Sequence, residues 1–290
     1  MPEVTYSEET LKAQDGTELF CRVWKGRSVD GEPALKTRAT IVIAHGLADH
    51  SGRYEHFAEF FARKGYLVYA YDHRGQGKSE GVRGHVSRFS QFYDDLWFVI
   101  RGAKGRNPGK KCFLVGHSMG GLIAVGYAAR RPRTINGLIV TSPCLALRMR
   151  ISPAKKGFGT FMSWFFPKLA VDTGIAAEGL SHDLDVVEAY KKDPIRYPKI
   201  TTKFFVEFDK AMKRVESLAE SIVTPCLFMP GGDDPVCSTD ATVRFYESIP
   251  ETTDKKLIVW DGLYHEILNE PEKDEVLRAM AEWIAEREGK

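Results

Sequence analysis

The sequence lacks a long hydrophobic run and a secretion signal. No apolar stretch approaches the roughly 20 residues that cross a bilayer. The N-terminal residues Met1–Thr5 contain neither the basic region nor the apolar core of a signal peptide. We therefore expect a cytoplasmic protein whose contact with membranes is at most peripheral.

The sequence also lacks a cysteine motif and a charge bias. Its cysteines lie far apart with no C-x-x-C spacing, which is typical of reduced, buried thiols and excludes a zinc or disulfide framework. They are Cys21, Cys112, Cys144, Cys226 and Cys237. The 41 basic and 39 acidic residues give a net charge of +2 and are dispersed, so nothing indicates a nucleic-acid partner.

The chain has 290 residues, of which 43% are hydrophobic. This is enough to form the core of one large α/β domain. Residues 8 to 24 alternate around Asp15-Gly16 and predict a hairpin. Buried strands then alternate with helical patterns, which predicts a mostly parallel sheet with helices on both faces. The predicted strands are 39–44, 67–71, 113–116 and 137–142, and the predicted helices are 54–64 and 89–103.

This alternation stops between residues 145 and 220, where helical segments, prolines and aromatic residues replace buried strands. It resumes with predicted strands at 226–230 and 257–260 and a last amphipathic helix after Asn269. We therefore predict a core in two parts, 1–144 and 221–290, with a helical cap inserted at 145–220.

The strand that ends at Gly116 turns sharply into a helical pattern through Gly116-His117-Ser118-Met119-Gly120. In such a G-x-S-x-G turn, glycines leave room for a strained strand-to-helix corner that exposes the serine hydroxyl. The motif predicts that Ser118 is a nucleophile.

A second G-x-S-x-G match, Gly77-Lys78-Ser79-Glu80-Gly81, lies among charged residues without a strand directly before it or an apolar helix after it. The context favours Ser118, because strand before and helix after are what the motif requires. We interpret residues 72–79 as a structural turn held by Asp72 and Arg74.

A serine nucleophile needs a histidine base and a carboxylate that orients the histidine. Only His182 and His265 follow Ser118, and His265 comes directly after a predicted core strand, whereas His182 lies in the predicted cap. The preceding strand ends in Asp233-Asp234, of which we choose Asp234. The alternative for either aspartate is that it caps the helix that begins near residue 240.

When a serine attacks a carbonyl group, negative charge develops on the carbonyl oxygen, and backbone amides that donate hydrogen bonds stabilise it. The expected donors are the backbone N–H groups of Met119, at the start of the helix, and of Leu47, in the loop after the first buried strand. His45 and His50 lie in the same loop, but no carboxylate and cysteine set accompanies them, so we predict no metal site.

These motifs resemble the α/β-hydrolase superfamily, and within it the monoacylglycerol lipase and lysophospholipase-like serine hydrolases, over nearly the whole chain. The matching stretches are 45–54, 72–81, 116–121, 231–234 and 264–265, although Ala48 and Asp49 stand where family members often carry glycine and glutamate. The resemblance implies a Ser118, Asp234, His265 triad, an oxyanion hole at Leu47 and Met119, and no cofactor. It also implies a cap over an acyl-binding pocket and a small lipid ester as substrate.

Two other functions stay open. The fold and triad do not determine the bond that is cleaved, so a peptidase or a carbon–carbon bond hydrolase is an alternative. A non-catalytic binding module that keeps the turn for structural reasons is another.

In the predicted cap, apolar side chains recur every three or four residues and form one stripe of a short helix that Pro167 ends. They are Phe158, Phe161, Met162, Phe165 and Phe166. We expect this stripe to guard an acyl channel. It either touches membranes or lipid aggregates or packs down on the main domain, and of the two we favour the packing.

Overall fold

The computed structural model describes residues 2–28, 36–148 and 152–289, with the backbone only of residues 153–156. Its strands are β1 (Glu3–Lys12), β2 (Glu18–Arg27), β3 (Thr40–Ala44), β4 (Leu67–Tyr71), β5 (Cys112–His117), β6 (Gly137–Thr141), β7 (Ala170–Asp172), β8 (Lys199–Thr201), β9 (Cys226–Met229) and β10 (Lys255–Leu257). Its helices are α1 (Glu55–Arg63), α2 (Ser90–Arg106), α3 (Met119–Arg130), α4 (Pro153–Phe165), α5 (Leu184–Lys192), α6 (Thr202–Val215), α7 (Thr239–Glu247) and α8 (Lys273–Glu288).

Eight strands form one sheet in the order β1-β2-β4-β3-β5-β6-β9-β10. The pairs β1–β2 and β2–β4 are antiparallel, and every other pair of neighbours is parallel. All residues of β3, β4, β5, β6 and β9 are buried. Strands buried on both faces read as continuous apolar runs, which is why the sequence predicts them well. The predicted mostly parallel α/β sheet is confirmed.

Helices cover both faces of the sheet and separate two apolar cores. On one face, α2 and α3 contribute buried residues such as Phe92 and Leu122. On the other, α1 and α8 contribute residues such as Phe61 and Trp283. The five cysteines are free and buried, as their spacing predicts. Among the described residues, no helix is long and apolar enough to cross a membrane.

The last strand differs from the prediction at 257–260. β10 begins at Lys255 and ends at Leu257. Pairing continues beyond it, because the amides of Ile258 and Trp260 donate to the carbonyls of Phe228 and Pro230 and a parallel bridge joins Gly231 to Trp260. The apolar side chains of residues 257–260 are partly exposed at the edge of the sheet. The predicted range therefore lies along β9, but the regular strand begins two residues before it, at Lys255.

The chain between β6 and β9 contains α4, α5 and α6, as the loss of alternation indicates. It also contains β7 and β8, a three-residue antiparallel pair that was not predicted. α6 packs down onto the core, since Phe208 stacks on Phe89 with ring centroids 5.9 Å apart. The division of the chain at residues 145 and 220 stays a prediction.

Candidate active site

Ser118 lies at the corner between β5 and α3, with φ 54° and ψ −119°. A positive φ is strained for a residue with a side chain and persists only where the surroundings hold it. Here the Ser118 amide donates to the Thr141 carbonyl at 3.0 Å, and the Ser118 carbonyl accepts from the Leu122 and Cys144 amides. The backbone of the serine is therefore held on three sides.

The glycines of this corner have no room for a side chain. A Cβ on Gly120 would overlap the carbonyl oxygen of Ala44, and a Cβ on Gly116 would overlap that of Gly120. The close approach of β3, β5 and α3 thus requires glycine at both positions.

The structure brings Ser118, His265 and Asp234 into one hydrogen-bonded chain. His265 Nε2 lies 2.9 Å from Ser118 Oγ, and His265 Nδ1 lies 2.7 Å from Asp234 Oδ2. Asp234 Oδ1 accepts from the amides of Val236 and Cys237 at 2.8 and 2.9 Å. With Nδ1–H donating to the carboxylate, Nε2 is left to accept the serine proton. All three side chains are buried.

The alternative histidine and serine lie elsewhere. His182 is half exposed, and its Nδ1 lies 3.0 Å from Glu270 Oε1. Ser79 donates its hydroxyl to the Asp72 carbonyl and accepts from the Phe20 amide at 2.9 Å. The second G-x-S-x-G match is therefore part of the structural turn.

Side chains of Asp72 and Arg74 hold the turn of residues 72–79 in place, as predicted. Asp72 accepts from the amides of Ser51 and Lys78, both at 2.7 Å. The Arg74 guanidinium bridges Asp95 and Asp15.

Neither adjacent aspartate caps α7. Ser238 is the N-cap residue, and its hydroxyl accepts from the Ala241 amide at 3.2 Å. Asp233 is partly exposed, and its backbone amide donates to the Leu263 carbonyl. Of the two carboxylates, Asp234 is the one that contacts a histidine.

The two predicted oxyanion donors border the same corner. Met119 is the first residue of α3, and Leu47 follows β3 in a turn whose next residue, Ala48, has φ 55°. Within the described ranges, neither the Leu47 amide nor the Met119 amide donates a hydrogen bond to the protein. Both N–H groups are therefore available to a ligand oxygen, with Met119 at the positive end of a helix dipole.

A buried ionic network that was not predicted connects the loop of Leu47 with the loop of His265. Arg53 donates two hydrogen bonds of 2.7 Å to the carboxylate of Glu266, the residue after His265. The same guanidinium lies 3.3 Å from Asp49, which also accepts from the Gly46 amide and the Tyr54 hydroxyl. Asp49, Arg53 and Tyr54 lie in the matching stretch 45–54, but Glu266 is 213 positions from Arg53, too far for spacing to indicate the pair.

The network sets the charges beside the triad. Burial raises the pKa of Glu266, but the charge and the hydrogen bonds of Arg53 together lower it overall. Burial and the neighbouring His265 lower the pKa of His117 to about 4, so His117 is neutral near pH 7. Its ring lies 4.9 Å from that of His265.

The two loop histidines have no ring nitrogen free for a metal. His45 contacts the Gly46 carbonyl through Nδ1 at 2.8 Å and the His73 amide through Nε2 at 3.0 Å. His50 contacts Asp193 through Nε2 at 2.7 Å and the Gly52 amide through Nδ1 at 3.0 Å. Burial lowers the pKa of His45 to about 4, which keeps it neutral.

Residues 35–272 match the family model Hydrolase_4, described as serine aminopeptidase, S33. The monoacylglycerol lipase of Mycolicibacterium smegmatis is 31% identical over 288 residues, which cover 98% of this chain and 99% of that protein. The phospholipase YtpA of Bacillus subtilis is 33% identical over 246 residues, which cover 83% and 93%. The chain spans only 29% of an uncharacterized abhydrolase domain-containing protein of Dictyostelium discoideum, to which it is 34% identical.

Among solved structures, the monoacylglycerol lipase of Paleococcus ferrophilus superposes with a TM-score of 0.80 and 29% identity, covering 98% of this chain and 99% of that one. The match includes the helices between β6 and β9, because almost all of both chains is covered. The chain therefore belongs to the Hydrolase_4 family and is a monoacylglycerol lipase-like α/β-hydrolase.

Proposed function

We propose that the protein hydrolyses the ester bond of a monoacylglycerol or a lysophospholipid, with Ser118 as nucleophile, His265 as general base and Asp234 as the acid that orients the histidine. The chain is a carboxylic ester hydrolase, given its extensive identity to monoacylglycerol lipases. The observation that carries the proposed roles is the unbroken contact from Ser118 Oγ through His265 to Asp234.

In the first half of the reaction, His265 Nε2 takes the hydroxyl proton as Ser118 Oγ attacks the ester carbonyl. The carbonyl oxygen becomes an oxyanion, which the amides of Leu47 and Met119 would hold. The protonated His265 then gives its proton to the departing alcohol, and the acyl group stays on Ser118.

In the second half, a water molecule takes the place of the alcohol. His265 removes a proton from the water, which attacks the acyl-enzyme carbonyl. The bond from that carbonyl to Ser118 Oγ breaks, His265 returns the proton to Oγ, and the fatty acid and the free serine are released. Asp234 keeps Nδ1 protonated throughout, because Nδ1–H donates to Asp234 Oδ2. The two backbone amides that donate to Oδ1 hold the carboxylate in place. No step needs a cofactor or a metal.

The cap supports a lipid substrate. The predicted aromatic stripe lies on α4 and just beyond it, and its phenylalanines are exposed, with Phe161 at 56% and Phe165 at 63%. Trp164 beside them is 77% exposed and was not included in the predicted stripe. Such exposure speaks against packing of the stripe on the main domain. An exposed aromatic face of this kind suits peripheral contact with a membrane or lipid aggregate that supplies the ester.

A peptidase is the second candidate, because the description of the matching family names an aminopeptidase. The fold and triad serve both reactions, so neither decides the scissile bond. The full-length relatives whose names are lipase and phospholipase favour the ester.

The test is a substrate panel on the purified protein. Monoacylglycerols and lysophospholipids of several chain lengths, short p-nitrophenyl esters and aminoacyl p-nitroanilides are compared by kcat/KM. We expect the highest value among the long-chain lipid esters and no measurable release from the anilides. Preferential cleavage of the anilides would replace the lipase assignment with a peptidase.

A further inference from the structure

Two neighbouring surface grooves beside the aromatic stripe have several cationic side chains and one carboxylate among their lining residues. One groove, of about 320 Å³, lies between the end of α4, the start of α6 and the loop before α2. The other, of about 190 Å³, continues along α6 towards α3. Their basic residues, which we call the basic face, are His85, Arg88, Arg130, Lys168, Lys203, Lys210 and Arg214.

One carboxylate, Glu207, lines these grooves, and it is shared between two lysines. Glu207 Oε1 lies 2.9 Å from Lys203 Nζ and 3.1 Å from Lys210 Nζ. In the described part of the chain, no carboxylate pairs with Lys168, Arg88 or Arg214. Positive charge is thus concentrated here, although the whole chain carries a net charge of only +2.

Burial and the positive charges of Lys168 and Lys203 lower the pKa of the one histidine in the basic face, His85. The ring contacts Thr201 Oγ1 through Nδ1 at 2.9 Å, which fixes it at the edge of the larger groove. An anion in that groove would face three lysines and relieve their mutual repulsion.

Trp164 joins the basic face to the aromatic stripe. It lines the larger groove and is 77% exposed, and Phe161 and Phe165 lie on the adjoining side of α4. Aromatic side chains settle at the boundary between lipid head groups and acyl chains, and lysines and arginines beside them meet the phosphates. A nucleic acid would match the charge but would leave the apolar stripe in water.

We propose that the basic face binds the head groups of anionic phospholipids, so that α4 docks on negatively charged membranes in preference to neutral ones. This inference rests on the lipid contact described under the proposed function. It adds that the protein prefers anionic membranes to neutral ones. It also gives the docked protein one orientation, since charge and aromatic residues adjoin along one side of α4.

The experiment measures sedimentation of the full chain with vesicles of phosphatidylcholine alone and with vesicles that also contain phosphatidylglycerol. Each basic residue near an anionic surface contributes about 1 kcal/mol, so we expect a partition coefficient at least roughly tenfold higher on the anionic vesicles. Raising the salt from about 0.1 M to about 1 M shortens the Debye length and should remove most of this difference.

The test variant is the double charge reversal Lys168→Glu/Arg214→Glu, which leaves Glu207 and its two lysines in place. The matched control, Lys110→Glu/Lys256→Glu, changes the net charge equally at exposed positions outside the two grooves. We expect the test variant to lose the preference for anionic vesicles and the control to keep it. Hydrolysis of a soluble butyrate ester should be unchanged in both, which separates this test from that of the proposed function.

Equal binding to neutral and anionic vesicles would overturn the proposal while leaving lipid contact intact. Equal loss in test and control variants would also overturn it, since net charge rather than the basic face would then decide. Absence of binding to any vesicle, or tighter binding to duplex DNA than to anionic vesicles, would reject the membrane as the partner.

Discussion

The carboxylate of Asp234 accepts three hydrogen bonds, of which one comes from His265. One oxygen accepts from the imidazole and the other from two backbone amides. An asparagine at this position keeps the volume but can present an N–H to the imidazole, which favours the wrong tautomer.

We therefore expect Asp234→Asn to lower kcat/KM on one ester by roughly 10⁴-fold. Asp233→Asn is the matched control, because its side chain is partly exposed one residue away, and it should keep near wild-type activity. Similar losses in the two variants would show that the choice between the aspartates is wrong.

Arg53 is the residue on which the buried network depends. Removing the guanidinium leaves the carboxylates of Glu266 and Asp49 buried without their cation. Breaking a buried ion pair from one side costs about 3–5 kcal/mol, so Arg53→Met should lower the free energy of unfolding by that amount in urea titrations. Arg131→Met removes an ion pair with Asp94 whose side chains are 36% and 49% exposed, and it should cost at most about 1 kcal/mol.

The same variant should change acid stability. The pKa of Glu266 is lowered in the folded protein, so its contribution to stability is present above the unfolded pKa of about 4.3 and is lost as the pH falls towards the folded pKa. Without Arg53, burial raises that pKa instead, and stability is lost at higher pH. An acid-unfolding midpoint that stays at the wild-type pH in Arg53→Met would contradict the pairing.

Whether the sequence predicts an individual residue depends on whether the pattern that identifies it is local in the chain. Ser118 is found because strand, glycines and helix are adjacent in the chain. Arg53 and Glu266 are 213 positions apart, and neither has a local pattern that requires the other. His265 and Asp234 lie between these cases. His265 is the one of two candidate histidines that follows a predicted strand, and Asp234 is one of two adjacent aspartates at a predicted strand end.

Two of the helices between β6 and β9 pack differently on the core. α6 buries Phe204 and Phe208 against the main domain, whereas α4 exposes Phe161 and Phe165. Replacing Phe161 and Phe165 with serine should therefore impair hydrolysis of long-chain monoacylglycerol in micelles much more than that of a soluble butyrate ester. The melting temperature should change little, because surface substitutions usually alter stability by less than about 0.5 kcal/mol.

Phe204→Ala is the contrasting variant, because Phe204 is buried against Phe92. Removing a buried phenylalanine costs about 3–5 kcal/mol, so the melting temperature should fall and both substrates should be affected alike. If the Phe161 and Phe165 variant behaved in the same way, the stripe would be ordinary core.

Among the elements, long apolar strands and amphipathic helices are predicted within a few residues. β7 and β8 are missed because each has three residues, too few for a period to appear. β10 is shifted because an edge strand with Lys255 and Lys256 carries a weak apolar signal.

On the scale of the whole molecule, the parallel sheet accounts for the position of the site. Ser118, Asp234 and His265 each follow the carboxyl end of a strand or its continuation, and those ends meet at one edge. This rule makes the meeting of the three side chains predictable although Ser118 and His265 are 147 positions apart, and their catalytic roles stay a proposal. The basic face could not be predicted in this way, because α3, α4, α6 and the loop before α2 join only in the folded chain.

The most direct test of the central claim is mass spectrometry of the native protein after reaction with a fluorophosphonate, which forms a stable adduct with an activated serine. We predict one adduct per chain, located on the peptide that contains Ser118, and none in Ser118→Ala, while Ser79→Ala is labelled like the wild type. An adduct on Ser79, or labelling that persists in Ser118→Ala, would contradict the account.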